Sequence, residues 1–230
     1  MQHPTSNPDP ATESPFKIVG LQRTGTNLMR ALLERNFLAR YLDEASTGWK
    51  HGPLRSPNGV WDGVAARFIL CVKNPYAWAV SCYRYFCRDR GADVTICPHF
   101  IRKPPETFEE FARSQHYSWP TPFHRWNQMN RLWLSTLPYD RRAAVRQEDQ
   151  LTDQLGVLRS VERVLGLKRR HPNFDVITRV VDTDARILGP FESEYYLKRT
   201  YLEHYRPGLL REVSGMLDRK LMSELNYDIE

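Results

Sequence analysis

The sequence predicts a single α/β domain whose mostly parallel sheet is flanked by helices. Three observations carry that expectation. A short apolar run, Phe16 to Leu21, ends in a tight loop that opens directly into a segment with helical periodicity. A second run, Arg67 to Val72 (RFILCV), is almost continuously apolar, as an inner strand covered on both faces must be. Strand-like and helix-like segments then alternate along the rest of the 230 residues without an internal repeat, the pattern of an α/β sheet.

Taken in order, residues 1–15 are rich in Pro, Ser, Thr and Asn and read as a disordered leader, with the folded domain spanning 16–230. The leader has no apolar stretch of the kind a secretory signal needs. Phe16 to Leu21 is the first strand, and Asn27 to Asn36 is the first helix, with Leu28, Leu32 and Leu33 on one face. Phe37 to Leu42 reads as a second strand, followed after a Ser-Thr-Gly break by Trp49-Lys50-His51-Gly52. The strand Arg67 to Val72 ends in Lys73-Asn74-Pro75. Pro75 suits the first turn of a helix over Tyr76 to Arg88, since its missing N–H is one the helix leaves unpaired anyway.

Residues 89–105 read as an irregular insertion. Thr107-Phe108-Glu109-Glu110 then has the pattern of a capping box and starts a helix. Phe123 to Leu137 is a further helix with Trp126, Met129, Asn130 and Trp133 at helical spacing, a core stripe. Ala143 to Arg146 is a strand, and Leu151 to Leu165 a helix stopped by Gly166. Residues 168–191 take no assignment. Glu192 to Arg206 and Pro207 to Leu225 read as two closing helices.

Composition narrows function only coarsely. Hydrophobic residues make up 41%, enough for a sizeable core, and the formal charge of +6 favours an anionic partner. Four cysteines, Cys71, Cys82, Cys87 and Cys97, form no C-x-x-C pair, so a thiolate metal site is not expected and a reducing cytoplasm is. No apolar run approaches the roughly 18 residues of a membrane span.

The chemistry concentrates in two places. The first is the loop Gly20-Leu21-Gln22-Arg23-Thr24-Gly25-Thr26-Asn27 between strand and helix. Unpaired amides and the positive end of the helix dipole make such a corner an anion seat. Gly25 lets backbone approach a ligand, Thr24 and Thr26 bring hydroxyl donors, and Arg23 brings charge with a planar fork of donors. The spacing of Gly20 and Gly25 matches G-x-x-x-x-G-K-[ST], yet Thr26 stands where a nucleoside-triphosphate loop places Lys, and the basic residue comes two positions before Gly25. The second place is the strand end, where Ser81 follows Lys73 by eight residues, about two helical turns beyond Asn74-Pro75. Ligands of open α/β sheets bind outside such carboxyl ends.

Together these segments resemble the PAPS-dependent sulfotransferases. Their phosphosulfate loop commonly reads P-K-S-G-T-T, and their Arg-[Asn/Asp]-Pro strand end is followed by a Ser at the same interval. Arg23 stands for the loop Lys, Thr24 for Ser, Asn27 for the last Thr, and Lys73 for the strand-end Arg. The resemblance covers roughly Phe16 to Arg88, and the loop looks nearest the carbohydrate branch. It implies a P-loop-type fold. It also implies 3′-phosphoadenosine 5′-phosphosulfate (PAPS) as co-substrate, held by Arg23, Thr24, Gly25, Thr26, Asn27, Lys73 and Ser81, with Lys198 or Arg199 reaching the 3′-phosphate from the C-terminal run. It implies no metal, because protein cations carry the charge. Arg23 becomes the cation at the leaving group, and Lys50 adds charge at the sulfuryl group. His51 becomes the base, as in the Lys-Thr-His segment of the cytosolic enzymes, with Glu44 the runner-up because the carbohydrate enzymes often use Glu.

Arg146-Gln147-Glu148-Asp149-Gln150-Leu151 resembles a segment R-Y-E-D-L of the same enzymes and is expected to pair internally. His99, His116 and His124 are expected to lie outside the chemistry. The acceptor is expected to be a carbohydrate or glycan hydroxyl or an amine; a small phenol or lipid glycan stays open. Two rivals remain: a P-loop small-molecule kinase, which the missing loop Lys opposes, and a basic nucleic-acid-binding module, which the scattered charges oppose. Neither nucleic acid nor a membrane is an expected partner.

Overall fold

The computed structural model describes residues 13–54, 60–61, 64–88, 104–181, 187–191 and 193–230. Most of the expected leader and insertion, with Cys97 and His99, lie outside the described residues.

At the centre is a four-stranded sheet in the order β2-β1-β5-β6, with β1 Ser14–Val19, β2 Ala39–Tyr41, β5 Arg67–Val72 and β6 Arg142–Arg146. All three pairings are parallel, with Phe16 opposite Arg67 and Ile69 opposite Ala143 in register. The apolar run of β5 is central, and its two faces go to different cores. Phe68, Leu70 and Val72 face one apolar cluster, while Ile69 and Cys71 face the other. That division is the period-2 geometry of a strand buried on both sides, so no alternation of polar and apolar residues is needed.

The second cluster is built by α1 (Thr26–Asn36) and α7 (Gln154–Leu165) against Phe16, Ile18, Ala143 and Val145. Leu28, Leu32 and Leu33 line α1's inward face, as their spacing predicts. The first cluster is built by α3 (Pro75–Tyr83), α4 (Phe108–Arg113), α5 (Pro122–Thr136), α9 (Pro207–Met216) and α10 (Arg219–Glu224). α3 is buried on nearly every side, which is why its sequence carries no amphipathic stripe. Asn74 caps it by accepting from the Tyr76 and Ala77 amides, and Pro75 follows in the first turn. The expected capping box at Thr107 and Glu110 starts α4.

Four long helices expected from periodicity are broken by local chemistry. The segment after Pro75 leaves α geometry after Tyr83 and continues as a π turn over Arg84–Arg88. The stretch before Gly166 divides into α6 (Gln147–Thr152) and α7, because Asp153 leaves helical geometry and caps the Gly156 amide. Asp218 does the same between α9 and α10. Before them, α8 (Ser193–Leu197) stops at Arg199, which has φ 55, and a 3-10 turn follows over Thr200–His204. Two short antiparallel pairs lie outside the four-stranded sheet: β3 (Val60–Trp61) with β4 (Val64–Ala65), and, in the unassigned stretch, β7 (Arg179–Val181) with β8 (Ile187–Pro190).

Arg146 and Glu148 pair internally as expected. Arg146 Nη1 donates to the Asn226 carbonyl, and Glu148 accepts from the Asn74 amide and the Tyr227 hydroxyl. The segment thus ties β6 to the strand end at Asn74.

Candidate active site

The carboxyl ends of β1 and β5 lie side by side, so the two sequence motifs meet at one sheet edge. The contact that joins them runs from Arg23 Nε to Ser81 Oγ, 3.5 Å apart. Arg23 lies exposed, its guanidinium 4.7 Å from the centre of the Tyr85 ring.

The loop is held from several directions. Gly20 N donates to the Lys50 carbonyl at 3.0 Å, and the Trp78 indole donates to the Gln22 carbonyl at 2.8 Å. Thr24 Oγ1 donates to the Leu21 carbonyl at 2.7 Å, so this hydroxyl braces the loop itself. Arg23 and Gly25 have φ of 70° and 81°, left-handed geometry that costs a side chain about 1–2 kcal/mol at Arg23 and nothing at Gly25. A Cβ on Gly20 would lie 2.4 Å from the Cys71 carbonyl oxygen. Gly20→Ala is therefore expected to lower stability by about 1–3 kcal/mol, as overpacking does. Thermal denaturation reads this, and an unchanged midpoint would mean β1 and β5 can part there freely.

Where the loop enters α1, Gly25 sits at the cap and no side chain caps the first turn, as also at α6 and α9, whereas α3, α4, α5, α7 and α10 have side-chain caps. Thr26 is buried, and Asn27 Oδ1 accepts from Lys50 Nζ at 2.9 Å. Burial lowers the Lys50 pKa, an effect that Glu44 opposes and Arg30 reinforces.

His51 follows on the same segment. Its Nδ1 lies 2.6 Å from the Gly20 carbonyl oxygen. A carbonyl only accepts, so Nδ1 carries the proton and Nε2 keeps its lone pair. Burial drives the imidazole down to about 4, the Gly20 bond opposes this, and the Lys50, Arg125 and Lys17 charges add to the depression. Glu44 opens the short helix α2 (Glu44–Thr47) and acts on Lys17 and Lys50 through its charge. Lys17 is fully buried under this segment, donating to the Leu42, Asp43 and Gly48 carbonyls, and burial lowers it to about 8.

At the end of β5, Lys73 is 1% exposed. Its ammonium donates to the Tyr196 hydroxyl at 2.9 Å, and no carboxylate among the described residues pairs with it. Its carbonyl accepts from the Trp126 indole at 2.9 Å. Lys198 is in a surface ion pair with Glu194 at 2.7 Å, and Arg199 pairs with Glu230. These two cations are paired within the C-terminal segment, whose Tyr196 reaches Lys73.

Two neighbours of these motifs, Tyr196 and Arg125, were not legible in the sequence. Tyr196 reaches Lys73 across 123 positions. Gln22 and Arg125 meet at 2.8 Å, from the loop and from α5. Gln22 belongs to the loop motif but Arg125 belongs to none, and only folding brings them together. His116 is buried among Trp78, Phe86 and Phe111, and His124 bonds the Thr121 hydroxyl at a helix cap, both outside the edge just described.

Among solved structures, the chain is similar to a mouse sulfotransferase, SULT7A1, complexed with PAP. The TM-score is 0.51 at 14% identity, over 93% of this chain and 85% of that one. At that identity the likeness establishes the fold: the four parallel strands and flanking helices are those of the sulfotransferase fold. It does not select the carbohydrate branch. No protein-family model matches the sequence, and no curated protein does either. No described helix is long and apolar enough to cross a membrane.

Proposed function

We propose that the protein is a PAPS-dependent sulfotransferase that moves a sulfuryl group to an acceptor hydroxyl or amine and releases PAP. The observation that carries this reading is the Arg23–Ser81 contact, which makes one anion-binding edge of two separate motifs. On this reading the uncapped start of α1, with Thr24, Gly25, Thr26 and Asn27, takes the 5′-phosphosulfate. Lys73 and Ser81 take the 3′-phosphate. A buried cation whose nearest partner is a neutral phenol is suited to an incoming dianion.

The chemistry then follows from position. His51 Nε2 removes the acceptor proton as the acceptor oxygen forms its bond to sulfur. The bond from sulfur to the bridging oxygen breaks, and PAP leaves with that electron pair. Arg23 meets the charge on the departing phosphate, and Lys50 steadies the sulfuryl oxygens. Protein cations and amides do this work in the proposed mechanism without a metal. Lys198 and Arg199 would need to leave Glu194 and Glu230 to reach the nucleotide, so Tyr196 is the C-terminal contact preferred here. The domain is read as a single one that takes in β1 from Ser14, and the compartment as cytoplasmic, with Cys71 and Cys82 buried thiols. A carbohydrate acceptor rests on the loop resemblance alone.

The test is ligand-induced thermal stabilisation. PAP is expected to raise the midpoint clearly, and ATP with Mg²⁺ much less, because the loop lacks the Lys of a triphosphate site. Equal shifts would sink the assignment in favour of a kinase, and a response only to oligonucleotides would favour a nucleic-acid module.

A further inference from the structure

Arg125 is a buried cation without a counter-ion among the described residues. It stands on α5 beside the core residue Trp126 and is 2% exposed. Its Nη2 donates to Gln22 Oε1 at 2.8 Å, and its guanidinium lies 4.0 Å from the centre of the Tyr117 ring. Nε and Nη1 have no hydrogen-bond partner. Among the described residues no carboxylate pairs with it; the titratable groups acting on it are Tyr117 and Cys82. Arginine stays protonated even when buried, so this position carries the cost of an uncompensated charge.

The surroundings say which ligand that charge faces. Gln22 is the loop residue before Arg23, and its amide donates to the Tyr117 hydroxyl at 3.0 Å. Arg125's charge is felt at His51. Two turns further along α5, the Trp133 indole donates to the carbonyl of Gly52, the residue after His51, at 3.3 Å. α5 thus runs from the nucleotide seats, where the Trp126 indole bonds the Lys73 carbonyl, to the base, where Trp133 holds the residue after His51. Those seats already have their own cations, Arg23, Lys50 and Lys73. Tyr117 covers the guanidinium with its backbone at φ 56, a conformation that costs a non-glycine residue energy, in a turn closed by the His116–Trp119 bridge.

We propose that the acceptor is itself an anion, and that its carboxylate, sulfate or phosphate docks on Arg125 while its nucleophile is presented to His51. This rests on the sulfotransferase reading and deepens it by naming the acceptor class.

The experiment measures binding, by calorimetry at saturating PAP, of two matched pairs: 4-hydroxyphenylacetate against 4-hydroxyphenylacetamide, and methyl glucuronide against methyl glucoside. Wild-type protein is expected to bind at least one acid tenfold or more tightly than its neutral twin. Arg125→Met is expected to abolish that preference with PAP and PAPS affinities unchanged, and Arg125→Lys to keep part of it, which separates charge from packing. No preference for either acid in wild-type protein overturns the proposal even if both variants fail to fold. Loss of PAPS affinity with PAP affinity intact and the acid preference retained also overturns it, and hands Arg125 to the transferred sulfuryl group. Failure of PAP to bind wild-type protein sinks the sulfotransferase reading separately; the acid comparison is then run without nucleotide, and its outcome still decides Arg125.

Discussion

His51→Ala is expected to lower turnover by about 10²–10⁴-fold, the range for losing a general base, while PAP affinity changes little. The reason is geometric. Nδ1 is committed to the Gly20 carbonyl, so Nε2 is the free basic nitrogen, and Lys73 and Ser81 lie on the other motif of the edge. His51→Asn is the sharper variant, since its amide can still donate to Gly20 yet has no basic nitrogen. Glu44→Ala is the control and is expected to keep most activity. The opposite pattern, with Glu44→Ala inactive and His51→Asn active, would move the base to the carboxylate.

The pH profile adds a second reading. Because burial depresses the free imidazole to about 4, His51 is neutral and competent above that value and loses its lone pair only below it. The acid limb of kcat/KM, which reports free enzyme, is expected well below the usual imidazole range near 6.5. The limb of kcat is expected higher, because bound phosphosulfate brings negative charge that favours imidazolium. An acid limb of kcat/KM near 6.5 would mean that His51 is not the buried base.

Lys73→Ala is expected to weaken PAP by roughly 1.5–3 kcal/mol, about tenfold to over a hundredfold, the scale of a hydrogen bond to a charged group. Lys73 is enclosed, so the ammonium is not screened as a surface cation would be. Lys73→Met preserves the packing beneath Tyr196 and is expected to show the same loss, which separates charge from cavity. Lys73→Arg is expected to retain PAP binding. Unchanged affinity in Lys73→Met would remove Lys73 from the nucleotide site.

The fold was largely legible because its signals are local. A strand, a glycine-bearing loop and a leucine-faced helix follow one another within Ser14–Asn36, and the unbroken apolar run of β5 announces a strand buried on both faces. The helix breaks at Asp153, Arg199 and Asp218 were missed because the apolar period continues past them; a competing side-chain cap or a single left-handed residue decides there. Lys198 and Arg199 were read from the resemblance, which does not say whether a neighbouring carboxylate already pairs with each cation.

What the sequence determined by itself is the pair of motifs at the ends of β1 and β5, since loop spacing, the Lys73–Ser81 interval and the Asn74-Pro75 cap are set within a few turns of chain. Tertiary structure alone decided that these motifs share one edge, that Tyr196 closes on Lys73, and that Arg125 is buried beside Gln22 with no carboxylate among the described residues. Those pairings span 58, 123 and 103 positions, and nothing local specifies them. They exist because β1 and β5 pair in register and α5 packs across their carboxyl ends, which fixes how deeply each cation is buried and which partner it can reach.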